Sequence, residues 1–153
     1  MITIKNRQRT FAVDTKKLQK VATTMAAALG YPDFDVYVLL TTDKAIQQYN
    51  RDFRHKDKPT DILSFPFHPE HKPGTKLRVT DDEEKNLGDI IISLAYVNRT
   101  APDWDRSFND HLVALLAHGL AHLLNYDHIT DAEFRVMRRI ENKLLRAAGF
   151  NEV

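Results

Sequence analysis

The stretch HGLAHLLNYDH, residues 118–128, constrains the fold of this chain more than any other. It completes an apolar run in which Leu112, Val113, Leu115, Leu116, Leu120, Leu123 and Leu124 cover nearly every side of a helix. A helix that is apolar all round belongs in a protein interior. The run is too short to span a bilayer, and His118, Gly119 and His122 interrupt it. Imidazoles on a buried helix need partners, and a metal ion supplies one. His118 and His122 lie four residues apart, hence on one helix face, where both can reach a single Zn²⁺ at about 2.0–2.1 Å. A third ligand on the same helix would point elsewhere, so the chain must turn after His122. Asn125 stands where that turn is needed, and Asn tolerates left-handed backbone better than other residues except glycine. The turn brings His128 back to the pair. Three neutral histidines with an open fourth position form a catalytic rather than a structural zinc arrangement.

The spacing matches the ligands of the extended zinc-peptidase motif H-E-x-x-H-x-x-G-x-x-H. Here Gly119 follows the first histidine, where the peptidase carries its general-base glutamate. The metal geometry is kept and the peptidase base is missing. That argues against peptide hydrolysis and leaves a metal-activated water as the reactive species.

Composition narrows the alternatives. There is no cysteine, which removes disulfides, zinc ribbons and thiol nucleophiles. Any metal must therefore sit on His, Asp or Glu. The formal net charge is +1, so nucleic-acid binding requires a local patch rather than a polycationic chain. No signal-peptide core stands at the N-terminus. The first acidic residue is Asp14, a faint transit-peptide trait, but Ile2 and Ile4 read more simply as a first strand. The expected location is the cytoplasm, with an organelle matrix as the alternative.

Residues 1–153 read as one domain. A strand is expected at 2–8, then a helix capped by Asp14 and ended near Gly30. Strand 34–41 follows, and then a helix capped by Asp43 and running to about Phe53. Short strands are expected at 61–65 and 88–93, with a short helix at 93–100. Ser107 opens the histidine helix with an S-x-x-D start, and 130–148 forms a last amphipathic helix stopped by Gly149. The mixture lacks strict βαβ alternation, which points to an α+β domain with a small sheet packed on helices. Residues 66–87, rich in proline and acids, read as a mobile surface loop.

Other polar residues carry weaker signals. His111 shares the face of His118 and is expected to support or cap rather than to ligate. His55, His68 and His71 lie in polar stretches and are expected to be solvated. Asp127 either orients an imidazole or caps a turn, and Asp89 carries the same ambiguity. Arg51, Arg54, Lys56 and Lys58 make a positive patch; a guanidinium beside a metal would suit a phosphate. Arg135, Arg138, Arg139, Lys143 and Arg146, offset by Glu133 and Glu141, read as an ordinary charged helix face.

Three blocks, YNRDFRHKDKPTDILSFPF (49–67), LGDIIIS (87–93) and HGLAHLLNYDH (118–128), together resemble the YbeY family of zinc-dependent endoribonucleases. They stand in the family's order and spacing. The resemblance implies a zincin-like α+β domain with a mixed sheet, one Zn²⁺ on His118, His122 and His128, and a functional arginine at Arg54. It further implies single-strand-specific cleavage of ribosomal RNA precursors, in small-subunit 3′-end maturation and ribosome quality control, with a ribosome or ribosomal protein as partner. No membrane is involved. Two positions depart from the family: Ala121 where leucine is usual and Asn125 where glycine is usual. A non-catalytic ribosome-assembly factor with a structural zinc is the rival expectation.

Overall fold

The structure, a computed structural model, describes residues 1–153. Four strands and five helices follow in the order β1 (Ile2–Asn6), α1 (Thr15–Ala28), β2 (Asp35–Thr41), α2 (Asp43–Arg54), β3 (Ile62–Pro66), β4 (Asn86–Ser93), α3 (Leu94–Thr100), α4 (Phe108–Leu123) and α5 (Asp131–Ala147). The strands form one sheet in the order β1-β2-β4-β3. β1 and β2, and β2 and β4, pair parallel; β3 runs antiparallel along β4. The expected small mixed sheet packed on helices is what forms. No helix is long and apolar enough to cross a membrane.

Period-2 alternation divides β4 between two cores. Ile90 and Ile92 join the large core built with Val38, Leu40, Leu116 and Leu120. Ile91 turns to the other face and packs with Ile46 of α2 and Leu63 of β3. Asp89 falls on the Ile91 face. It therefore lies across the sheet from α4, away from the histidines.

Helix α4 is the central element. Between His111 and Leu124 every residue is buried except His118 and His122. Gly119 lets α4 approach the sheet this closely. A Cβ at that position would stand 2.8 Å from Ile62 Cδ1 and 3.0 Å from Ile90 Cδ1, closer than carbon atoms pack. A glutamate in the place where a zinc peptidase carries its base would have to displace these two methyl groups.

The helix ends follow the local chemistry expected of them. Ser107 Oγ accepts from the Asp110 N–H and Thr130 Oγ1 from the Glu133 N–H. One cap is corrected: Thr42, not Asp43, caps α2, accepting from the Ala45 N–H. The Asp43 carboxylate instead accepts from Ser93 Oγ at 2.7 Å and from Arg99 at 2.9 Å. It ties α2 to the β4–α3 junction.

The long segment between β3 and β4 contains only a short 3₁₀ turn at Asp82–Glu84, yet it is not a loose loop. Asn125 Nδ2 donates to the carbonyls of His68 and His71 at 3.0 and 2.9 Å. Tyr31 Oη accepts from the Leu77 N–H, and Lys76 donates to the Gly30 carbonyl. His68 and His71 are half-buried, so the expectation that they are merely solvated fails. His68 Nε2 bonds the Glu84 carbonyl at 2.7 Å. Burial, and then the neighbouring His68, depress the His71 pKa.

Candidate metal centre

His118 and His122 project from the last turns of α4, and the chain reverses directly after them. The Tyr126 N–H bonds the Ala121 carbonyl and the Asn125 N–H bonds the His122 carbonyl. This pair of bonds is the Schellman closure, which requires left-handed backbone at its turning residue. Asn125 supplies it with φ 65°. The departure from glycine thus leaves the turn intact, and the amide gains the two bonds to the His68–His71 segment described above.

The turn sets His128 against the helix pair. One nitrogen from each of His118, His122 and His128 lies within 4.8 Å of the others. The His118 and His122 Nε2 atoms are 3.0 Å apart, and the His128 ring centroid is 5.4 Å from each partner ring. The helix pair is half-buried and His128 is exposed. Together the three residues could hold a metal ion.

The surroundings fit that role. His118 Nδ1 lies 3.1 Å from Glu141 Oε2 of α5. A carboxylate on one ring nitrogen keeps the proton there and leaves the other nitrogen bare toward the cluster. Burial, followed by the nearby His118 and His128, pushes the His122 pKa down to about 4. That imidazole is therefore neutral near pH 7, the state in which it binds metal.

Glu141 is the residue that sequence reasoning missed. The sequence places it on an ordinary charged helix face, but it is only 8% exposed. The signal lay in its spacing. Glu141 falls on the same helix face as Met137 and Leu144, four and three residues away, and both of those are core positions. A carboxylate there requires a buried partner.

Other expectations resolve as follows. Asp127 Oδ1 accepts from the His128 N–H at 2.8 Å, so it braces the turn rather than an imidazole. His111 is buried, but it neither caps α4 nor touches a ligand. Its Nε2 meets Thr100 Oγ1 and its Nδ1 meets Arg106, both at 3.2 Å. His55 closes α2 in left-handed backbone with φ 59°. Arg54, the last residue of α2, reaches across to β3. Its Nη2 donates to the Ser64 carbonyl at 2.8 Å, and its guanidinium lies 5.0 Å from the centre of the Phe65 ring. Arg54, His118, His122 and His128 line one open cleft of ≈ 640 Å³.

Comparison with known proteins shows the family. A family model described as Endoribonuclease YbeY matches residues 3–149. The Endoribonuclease YbeY of Desulforamulus reducens is 35% identical over 154 residues, covering 98% of each chain. That of Geobacter metallireducens is 39% identical over 142 residues, covering 93% of this chain and 89% of its own. The human Endoribonuclease YbeY is 33% identical over 148 residues, covering 97% of this chain and 88% of its own. A Thermotoga maritima protein solved in solution shares the fold, with a TM-score of 0.59 at 23% identity over 95% of this chain and 90% of that chain. With a family model spanning almost its whole length and relatives at this identity, the chain belongs to the Endoribonuclease YbeY family.

Proposed function

We propose that this chain is a zinc-dependent endoribonuclease that cuts single-stranded ribosomal RNA precursors. The observation that carries the reading is the convergence of three imidazoles on one side of a cleft that also contains an exposed arginine. The shared name of the relatives supports RNA as the substrate class. The three-nitrogen donor set, with no sulfur and no carboxylate among the ligands, suits Zn²⁺.

A zinc ion at this site supplies Lewis-acid chemistry, acidifying a water and drawing charge from a phosphoryl oxygen. The remaining roles belong to side chains. His118, His122 and His128 hold the ion. Glu141 retains the proton on His118 Nδ1 and fixes that ring. Arg54 binds the scissile phosphate and stabilises the charge that grows on it. Its aim is fixed by the Ser64 carbonyl and the Phe65 ring, so little reorganisation is needed when substrate arrives. Gly119 supplies no carboxylate base at the peptidase position, which disfavours peptide hydrolysis.

The rival reading is an assembly factor with a purely structural zinc. Structural zinc sites are closed by four protein ligands, whereas these three histidines border an open cleft. With ribosomal RNA as substrate, the partner is the ribosome or one of its proteins, and the compartment is the cytoplasm, with an organelle matrix as the alternative. The test is turnover of a single-stranded and a fully paired oligoribonucleotide by purified protein, beside a His118→Ala control for contaminating nuclease. Cleavage of the single strand alone, absent in the control, is expected. Equal cleavage by the control refutes the metal mechanism.

A further inference from the structure

A second cavity adjoins the metal centre. It encloses ≈ 250 Å³ and shares Asp61, Ile62, His118 and His128 with the cleft that holds Arg54. The two spaces thus both border His118 and His128. Where the Arg54 cleft is mainly polar, this cavity has an apolar floor of Ala114, Leu115 and Met137. For scale, an apolar cavity of roughly 150 Å³ takes up benzene.

Two large aromatic rings line the cavity without being buried in it. Trp104 is 57% exposed and Phe134 47%. Each carries an arginine. Arg106 stands 5.2 Å from the Trp104 ring and Arg138 stands 5.2 Å from the Phe134 ring. Both guanidinium groups line the same cavity. Two side-chain acids line it as well: Glu141 contacts His118, and Asp61 accepts from the Ile62 N–H. Burial, and next the like charge of Arg138, depress the Arg106 pKa. Two cations therefore converge on a half-enclosed, largely apolar space, alongside the carboxylates of Asp61 and Glu141.

We propose that this cavity is a nucleobase subsite. A base of the single strand next to the scissile phosphate stacks on Trp104 or Phe134, and Arg106 and Arg138 bind the phosphates beside it. This proposal rests on the endoribonuclease reading and adds to it how the strand is held. Single-stranded RNA offers what these groups recognise: flat unpaired bases for aromatic and guanidinium planes, joined by anions. A paired duplex keeps its bases stacked and cannot insert one. The subsite would account for single-strand preference without any base-specific contact. Phosphate in the Arg54 cleft and base in the apolar cavity place the strand across the three histidines.

Trp104 is the only tryptophan in the chain, so tryptophan fluorescence reports on the surroundings of this one ring, and the Phe134→Ala variant below ties the signal to this cavity. The full chain is titrated with a short oligoadenylate in the presence of a chelator, which leaves the strand uncut. Saturable quenching of Trp104 is expected. An abasic ribose-phosphate strand of equal length should bind about tenfold more weakly or worse and quench little. By anisotropy of a labelled strand, Trp104→Ala and Phe134→Ala should each weaken oligoadenylate binding about tenfold, while Trp104→Tyr retains most of it. Equal binding of abasic and base-bearing strands overturns the subsite. So does strand binding without any change in Trp104 emission. Quenching by an acetylated leucine peptide but not by oligoadenylate also overturns it, and assigns the cavity to a protein partner. Metal-loaded protein is assayed separately for cleavage of the same strand. Base-dependent binding without cleavage would defeat the nuclease reading while leaving the subsite standing.

Discussion

The Glu141 carboxylate lies 3.1 Å from His118 Nδ1, and this contact decides which His118 nitrogen faces the other two histidines. Glu141→Gln keeps an acceptor but removes the charge, and should weaken metal binding about tenfold. Glu141→Leu should weaken it toward 100-fold. Competition with a chromogenic chelator measures both. The metal-stripped Glu141→Leu protein should unfold no more easily than wild type, since an apolar side chain suits a buried position. Unchanged metal affinity in both variants would reduce Glu141 to a packing residue.

Arg54 is held by a single backbone carbonyl and an aromatic face at the cleft edge. Arg54→Ala should lower the rate of RNA cleavage about 100-fold, as removal of one donor to a charged transition state does. Zinc content and thermal midpoint should stay at the wild-type values. Loss of fold in this variant would assign Arg54 a structural role instead.

Gly119→Ala forces a methyl group against Ile62 and Ile90. Overpacking of this kind costs about 1–3 kcal/mol, read from the urea midpoint. The variant tests whether steric fit, rather than chemistry, keeps a glycine after the first ligand. Wild-type stability would contradict the packing argument.

Acid should destabilise the metal-free protein through its buried imidazoles. Burial is the first cause of the lowered pKa at both His122 and His111, with neighbouring histidines acting on the former and Arg106 on the latter. In the unfolded chain these groups titrate near about 6.5. Below that pH the unfolded chain binds protons that the folded protein refuses, so stability is present above about 6.5 and falls as pH falls. His122 itself accepts a proton only near pH 4. The urea midpoint should therefore decrease between about pH 7.5 and 5.5. A flat profile would mean that these imidazoles are not buried in neutral form.

Asn125→Gly keeps the left-handed turn but deletes both amide bonds to the His68–His71 segment. Limited proteolysis within residues 66–85 should accelerate several-fold, as local opening becomes easier. Metal affinity should hold close to wild type. Unchanged proteolysis would show that the other anchors of the segment suffice.

The histidine cluster was legible in the sequence because its geometry is local. Two lie on one helix face, and a third follows a turn whose residue type declares it. The caps at Asp14 and Ser107 were legible for the same reason. Where the fold departs from expectation, the cause is a partner distant in sequence. Asp43 looked like a cap but serves Ser93 and Arg99, fifty and fifty-six residues away. The 66–87 segment looked unattached because its anchors, Tyr31, Gly30 and Asn125, lie in other elements. Glu141 reaches His118 across two helices, although its place among core positions of α5 carried a readable trace. The role of Gly119 depends on Ile62 and Ile90 facing it, which no local pattern discloses.

The central claim is that three histidines hold the ion on which RNA cleavage depends. Elemental analysis and single-strand cleavage, measured side by side on wild type and His122→Ala, test it most directly. About one zinc per chain with cleavage in the wild type, and loss of both in the variant, is the expected result. Full cleavage by a variant that retains no metal would contradict it.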